Sequence, residues 1–350
     1  MLSRLIHTEP DVYLVEVPLA STIAPSTNCY IVKDGESSLV IDTGSPGTEN
    51  ERILAQALIE LDVDSARTAY VLTHLHRDHA GLVDRMVPPG CTLYIGASDG
   101  MRTDASCVAA DAARLRTRML AEGAAPEEAN ELANMHRRNM GLDLSRRDAV
   151  PVAEGDAIPV GRWSLAVLDV PGHTPGHIAL YERASGMLFC GDHVLQAISP
   201  SIDLFPNGAD GMQAYLHSLC KVKNLPLSLL AWGHGPLRND FAQRIEHLIV
   251  HHHERLNEVL GIVADKPGRT GIEIVRAVRW SVPFDSWERI PLRQRSVIVA
   301  GGLAALDHLV VQGSVDRFID SKGAYRYRIG TRAVGSAGRK PAVAQAGAID

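Results

Sequence analysis

Four side chains able to bind a metal fall within six consecutive residues, His74-Leu75-His76-Arg77-Asp78-His79: the ligand candidates His74, His76, Asp78 and His79. Imidazoles and a carboxylate this crowded waste solvation unless they share a cation, and such a mix of nitrogen and oxygen donors suits zinc. Three later positions extend the set. His173 stands in Pro171-Gly172-His173-Thr174-Pro175-Gly176-His177, Asp192 follows Gly191, and His234 lies in Trp232-Gly233-His234-Gly235-Pro236. His74, His76 and His173 can supply three imidazoles to one metal. Asp78, His79 and His234 can hold a second, which leaves Asp192 free to bridge both with its two oxygens. Two cations about 3.5–4 Å apart would share a hydroxide and bring its pKa toward about 7, giving a nucleophile at neutral pH.

The ligands are expected at the ends of strands. Runs rich in Val, Ile, Leu and Tyr predict strands over Val12–Val17, Asn28–Lys33, Ser38–Asp42 and Ala69–Thr73, the last leading into the six-residue motif. Later runs over Trp163–Val170, Ile178–Tyr181, Met187–Cys190 and Leu227–Ala231 precede or follow the other ligand positions, each beside Gly or Pro. Ile53, Leu54, Ala57, Leu58 and Leu61 share the face of a helix between the two early groups. Asp99–Gly123 and Pro126–Asn139 read as a helical insertion whose Met and Leu side chains either line a substrate pocket or pack within the core.

With Asp42-Thr43-Gly44, His74-x-His76-x-Asp78-His79, Gly172-His173-Thr174-Pro175-Gly176-His177, Gly191-Asp192 and Gly233-His234-Gly235 in that order, the chain resembles the metallo-β-lactamase superfamily over about residues 10–250. The resemblance implies an α/β fold, an αββα sandwich with two Zn2+ per chain at one edge, iron or manganese being alternatives. It also implies that the metals polarise the scissile bond, that a bridging hydroxide attacks, that Asp78 or metal-bound water manages protons, and that Asp42 fixes a loop without touching metal. Asp78 and Asp192 are the expected catalytic carboxylates. The commonest zinc β-lactamases carry Cys where Asp192 stands, which argues against antibiotic hydrolysis. Flavodiiron proteins replace the second His by Glu, and His76 argues against them.

Residues 251–332 read as three helices (Glu254–Ala264, Gly271–Arg279, about Pro291–Gln312) and a hairpin over Ser314–Ile329, similar to a winged-helix-like domain. That order is similar to the lactamase-like hydrolases related to the mitochondrial endoribonuclease branch. Residues 1–250 are the expected catalytic domain, and 333–350 an unstructured tail. Single-stranded RNA contact would run through Arg276, Arg279, Arg326 and Arg328, but the basic excess there is mild and no aromatic stacking motif accompanies it. The formal charge of −6 argues against a chain devoted to nucleic acid. His7, His136, His217, His247 and His308 read as ordinary core or surface histidines, and His251-His252-His253 as a helix surface. Cys29, Cys91, Cys107, Cys190 and Cys220 have no C-x-x-C spacing and read as reduced thiols.

No signal peptide and no run of about 18 apolar residues is evident, so a cytoplasmic protein without membrane contact is expected. The functional expectation is a dinuclear zinc hydrolase of a small ester, thioester or lactone, with a small-molecule substrate and a homodimer as its modest partner expectation. A phosphodiesterase or ribonuclease is the first alternative, and a mononuclear iron dioxygenase of the persulfide type the second.

Overall fold

The computed structural model describes residues 2–19, 24–101, 103–140, 144 and 147–330. The expected tail over 333–350 lies outside the described residues. In chain order the elements begin with β1 (Ser3–His7), β2 (Asp11–Pro18), β3 (Ser26–Asp34), β4 (Ser37–Ile41), α1 (Thr48–Glu60), β5 (Thr68–Leu72), α2 (Arg77–Ala80), α3 (Val83–Met86) and β6 (Leu93–Gly96). Then come α4 (Ala97–Gly100), α5 (Ala105–Ala121), α6 (Pro126–Asn139), β7 (Ala149–Val152), β8 (Ala157–Val160), β9 (Trp163–Asp169), β10 (Ile178–Glu182), β11 (Met187–Gly191), α7 (Gly211–Lys223) and β12 (Leu229–Trp232). The chain continues through α8 (Phe241–Asp265), α9 (Gly271–Ala277), α10 (Leu292–Val311), β13 (Val315–Ile319) and β14 (Tyr325–Ile329).

β1 to β7 form a seven-stranded sheet in sequence order, antiparallel from β1 to β4 and parallel from β4 to β7. A five-stranded sheet runs β12-β11-β10-β9-β8, and only its β11–β12 pair is parallel. Period-two alternation explains how the sheets stack. In β10, Ile178 and Leu180 enter the cluster shared with Leu39, Ile41 and Val71 of the first sheet, while Ala179 and Tyr181 point to the helices on the other face. Helix α1 covers the outer face of the first sheet through Leu54 and Ala57, which completes the αββα order.

The second sheet's outer face carries more than one helix. Leu168, Leu188, Leu230 and Trp232 share a single core cluster with α5 to α10 and with Val315 and Tyr327 of the β13–β14 hairpin. The expected domain boundary at 250/251 therefore falls inside α8, which runs unbroken from Phe241 to Asp265. Its apolar residues Ile245, Leu248, Leu256, Val259 and Val263 are buried against that core, and His252 is buried in the same stripe. His252 is thus no helix surface. Its Nε2 lies 3.1 Å from Ser199 Oγ, and its ring stands edge-on to Tyr215 at 5.1 Å.

Two further expectations shift. Helix α5 starts at Ala105 and not at Asp99, because Asp104 accepts from the backbone N–H of Ser106 and Cys107, each at 2.8 Å. Helix α10 is long and apolar enough by length and composition to cross a membrane, contrary to the expectation of no such segment, and half of that window is buried within the molecule.

The burial of His252 has a pH consequence. Burial, then the charge of His251 and Arg255, pushes its pKa down to about 3. An unfolded histidine titrates near about 6.5, so between these values the unfolded chain binds the extra proton. Stability is full above about 6.5 and falls as pH drops toward 3. His252→Gln is expected to flatten the urea midpoint against pH by up to about one proton over that window; wild-type and variant curves that stay parallel would contradict the assignment.

Candidate metal centre

All seven ligand candidates meet at one edge of the sandwich. Asp42 follows β4, the His74–His79 run follows β5, His173 sits between β9 and β10, and Asp192 and His234 follow the parallel pair β11 and β12. Carboxyl ends of parallel strands are where an α/β sheet offers a crevice. The sheets are stitched directly at this edge. Asn28 N donates to Gly233 O at 2.7 Å, Asn28 Nδ2 donates to Trp232 O and Gly235 O, and Ile178 N donates to Thr73 O at 2.9 Å.

Ligand atoms of His74, His76 and His173 lie within 4.8 Å of one another, as do those of Asp78, His79 and His234 and those of His74, His79 and Asp192. Asp192 stands between the first two groups. Its Oδ1 is 3.2 Å from His79 Nε2, and its Oδ2 is 3.3 Å from His234 Nε2 and 3.6 Å from His173 Nε2. That is the reach a bridging carboxylate needs.

Whether these residues fit cations is decided by their protons. His173 Nδ1 donates to Ser201 O and His234 Nδ1 to Ser26 O, each at 2.8 Å. His79 Nδ1 donates to Asp42 Oδ2 at 2.8 Å. Thr73 Oγ1 spends its own proton on Asp42 Oδ2, so it accepts from His74 Nδ1 at 3.1 Å. Each neutral ring then carries a bare Nε2. Those lone pairs face each other closely: His173 Nε2 is 2.8 Å and His74 Nε2 3.0 Å from His76 Nδ1, and His79 Nε2 is 3.2 Å from His234 Nε2. Buried Asp192 Oδ1 has no hydrogen-bond donor. Converging acceptors without donors are an arrangement that divalent cations satisfy.

Electrostatics divide the ligand candidates: against the lowering effect of burial, Asp192 and Asp42 raise His79 well above the ordinary histidine range, and Asp192 raises His234. Burial, then the neighbouring imidazoles, pushes His74 well below the ordinary histidine range, and burial with His173 takes His76 to about 3. Burial raises the Asp192 carboxyl, but His234 and His79 outweigh it and hold it well below the usual carboxylate range. A metal takes ionised carboxylates and neutral imidazoles, so binding at this centre would displace the protons that Asp192 favours on His79 and His234.

Asp42 stands as the loop-fixing residue that the family resemblance implies. It accepts Thr73 N at 2.8 Å besides Thr73 Oγ1 and His79 Nδ1, from a left-handed backbone at φ 62°. Other supports were not anticipated. His177, buried, stacks on His74 at 4.8 Å and accepts the Asp192 backbone N–H at 3.1 Å, tying a ligand of one sheet to a ligand of the other. Asp99 accepts from Thr174 Oγ1 at 2.9 Å and Gly176 N at 2.8 Å, pinning the His173 loop. His177 is named by its own motif, whereas nothing local to Asp99 marks it. A Cβ at Gly233 would collide with Asp192 Oδ1, which explains the glycine before His234.

Comparison with known proteins places this geometry. The metallo-beta-lactamase superfamily pattern matches residues 23–89 and 109–234, more than half of the chain. A probable metallo-hydrolase, YqjP, of Bacillus subtilis is 26% identical over 273 residues, covering 74% of this chain and 82% of its own. The hydroxyacylglutathione hydrolase GloC of Haemophilus influenzae is 27% identical over 225 residues, covering 63% of this chain and 91% of its own. The crystal structure of a metallo-beta-lactamase family protein from Thermus thermophilus superposes with a TM-score of 0.72 at 25% identity, covering 91% of this chain and 98% of that one. That overlap is longer than the region matched by the superfamily pattern. The convergent acceptor cluster at the strand ends and these matches lead to one conclusion: the chain belongs to the metallo-beta-lactamase superfamily and is a metal-dependent hydrolase.

Proposed function

We propose that the protein is a dinuclear zinc hydrolase of a small carboxylic ester, thioester or lactone, with His74, His76 and His173 holding one ion, Asp78, His79 and His234 the other, and Asp192 bridging. One observation carries the substrate class. His76 and His173 form a wall of a pocket lined elsewhere mainly by apolar side chains, Leu115, Met119 and Leu132 from α5 and α6 and Val297, Val299 and Ala300 from α10, with His136, Asn139, Ser201, Asp203 and Ser296 as its polar positions. A mostly apolar cleft beside a few polar groups suits an acyl arm. Met119 and Leu132 also belong to the main core cluster, so the insertion both packs and lines the cleft.

When bound, the metals supply Lewis-acid polarisation and a nucleophilic water at neutral pH. The chain's own residues do the rest. Ser201 O, Ser26 O and Asp42 keep the ring protons away from the centre, α5, α6 and α10 exclude water from the acyl side, and Asp78, less buried than His79, stands where a proton can be passed to a leaving group. We read the C-terminal helices and hairpin as a winged-helix-like unit that closes this cleft. Nucleic-acid binding is the weaker reading, because three of the four arginines, Arg276, Arg326 and Arg328, are engaged by Glu128, Asp320 and Asp316, whereas Arg279 is exposed. The hydroxyacylglutathione hydrolase relative favours a thioester.

Metal analysis with a substrate panel tests the reading. Two zinc ions per chain and turnover of esters, thioesters or lactones without cleavage of single-stranded RNA are the expected results. One iron per chain with thiol-dependent oxygen consumption, or RNA cleavage that weakens steeply with salt, would overturn it.

A further inference from the structure

Helix α10 lies beyond the residues matched by the superfamily pattern, yet one of its faces is turned to the metal centre. Arg293, Ser296, Val297 and Ala300 follow i, i+3, i+4, i+7 spacing, which stacks them on a single face. Ser296, Val297 and Ala300 line the pocket that contains His76 and His173. Arg293, one turn nearer the N-terminus, reaches 3.4 Å from Asp78 Oδ2 with its side chain 58% exposed. The stripe thus runs from a cation at the centre's mouth to an apolar surface inside the cleft.

Arg293 differs from its neighbour. Arg295 points elsewhere, 20% exposed and 3.9 Å from Glu131. The contact of Arg293 is one long contact through a single guanidinium nitrogen to a carboxylate that the hydrolytic reading assigns to a metal, and the exposed fork has further donors to offer another anion. A planar donor fork matches a carboxylate's two oxygens. A single positive charge also balances a singly charged carboxylate better than a phosphate dianion.

We propose that Arg293 is a specificity-determining residue that binds a carboxylate of the substrate, which is then an ester or thioester with an apolar arm along Val297 and Ala300 and a free carboxylate close to the scissile bond. This rests on the hydrolytic reading above. The test uses the full-length, metal-loaded protein and three thioesters with the same hexanoyl arm: the leaving thiol is 3-mercaptopropionate, its neutral methyl ester, or a thiol of similar length ending in phosphate. Wild type is expected to favour the carboxylate by about tenfold or more in kcat/KM, the increment of one charge-assisted hydrogen bond, through KM and decreasing with added salt. In Arg293→Gln that preference should collapse to near one, and Arg293→Lys should restore part of it. Calorimetry with the corresponding uncleavable thioether acid should show the same order of affinities at equal metal content.

An equal loss on the carboxylate and neutral substrates, or a loss of metal in Arg293→Gln, would mean that Arg293 only props Asp78, and would overturn the proposal. A preference for the phosphate would overturn the carboxylate assignment. Cleavage of all three without preference removes the role of Arg293 and spares the hydrolytic reading, whereas a metal-loaded wild type that cleaves none removes both.

Discussion

Asp192→Ala is expected to cut turnover by at least about a hundredfold, beyond the loss typical of an outer hydrogen-bond partner, while circular dichroism stays that of the wild type. The physical reason is charge. Asp192 places Oδ1 3.2 Å from His79 Nε2 and Oδ2 3.3 Å and 3.6 Å from His234 and His173 Nε2, so it is the negative charge between the two ligand groups. Two dications held about 4 Å apart repel strongly without such a bridge. Metal content should therefore fall from two ions per chain toward one, and the rise in melting temperature on adding metal should shrink accordingly. The fold should persist because Asp192 follows the last residue of β11, and its side chain belongs to none of the hydrophobic clusters. Unchanged turnover at full occupancy by two metals would sink the dinuclear assignment.

The ligand candidates were legible in the sequence because chemistry constrains them locally. A metal loop must leave a strand, and Gly or Pro beside His173, Asp192 and His234 marks where the strand stops. The sandwich was implied by the family resemblance those motifs carry, and the strand pattern fits it. What supports the ligands was less legible, since it joins segments far apart in the chain: Asp99 reaches Thr174, and Asn28 reaches Trp232 and Gly235. The strands not anticipated, β1 and β6 to β8, are only four or five residues long, and two contain a proline that lowers strand propensity, Pro151 and Pro159. His252 carried a signal that was readable. It falls on the three-and-four spacing of Ile245, Leu248, Leu256 and Val259, so the apolar stripe of α8 already placed it inside. The pocket was legible in part: the Met and Leu positions of the helical insertion were a candidate lining, whereas the wall from α10 exists only once tertiary packing brings it beside His76 and His173.

Asp42→Asn exchanges one carboxylate oxygen for an amide nitrogen and is expected to weaken metal binding about 10–100-fold, the range for a partner that orients a ligand. The backbone is a fair control, since asparagine tolerates the left-handed conformation that Asp42 holds at φ 62° better than most residues. Asp42 Oδ1 accepts Thr73 N, a bond that the amide oxygen preserves. The NH2 group then occupies the place of Oδ2, which now accepts from both His79 Nδ1 and Thr73 Oγ1. Facing a donor, His79 Nδ1 must become an acceptor, and its proton moves to Nε2, toward the metal. Thr73 must reverse its hydroxyl and donate to His74 Nδ1, which sends the His74 proton to Nε2 as well. One atom thereby blocks a ligand in each metal group. Thr73→Val removes only the His74 arm and should cost less than Asp42→Asn. Metal titration against a competing chelator measures both, and an Asp42→Asn protein that binds as tightly as wild type would show that Asp42 holds the loop without setting the tautomers.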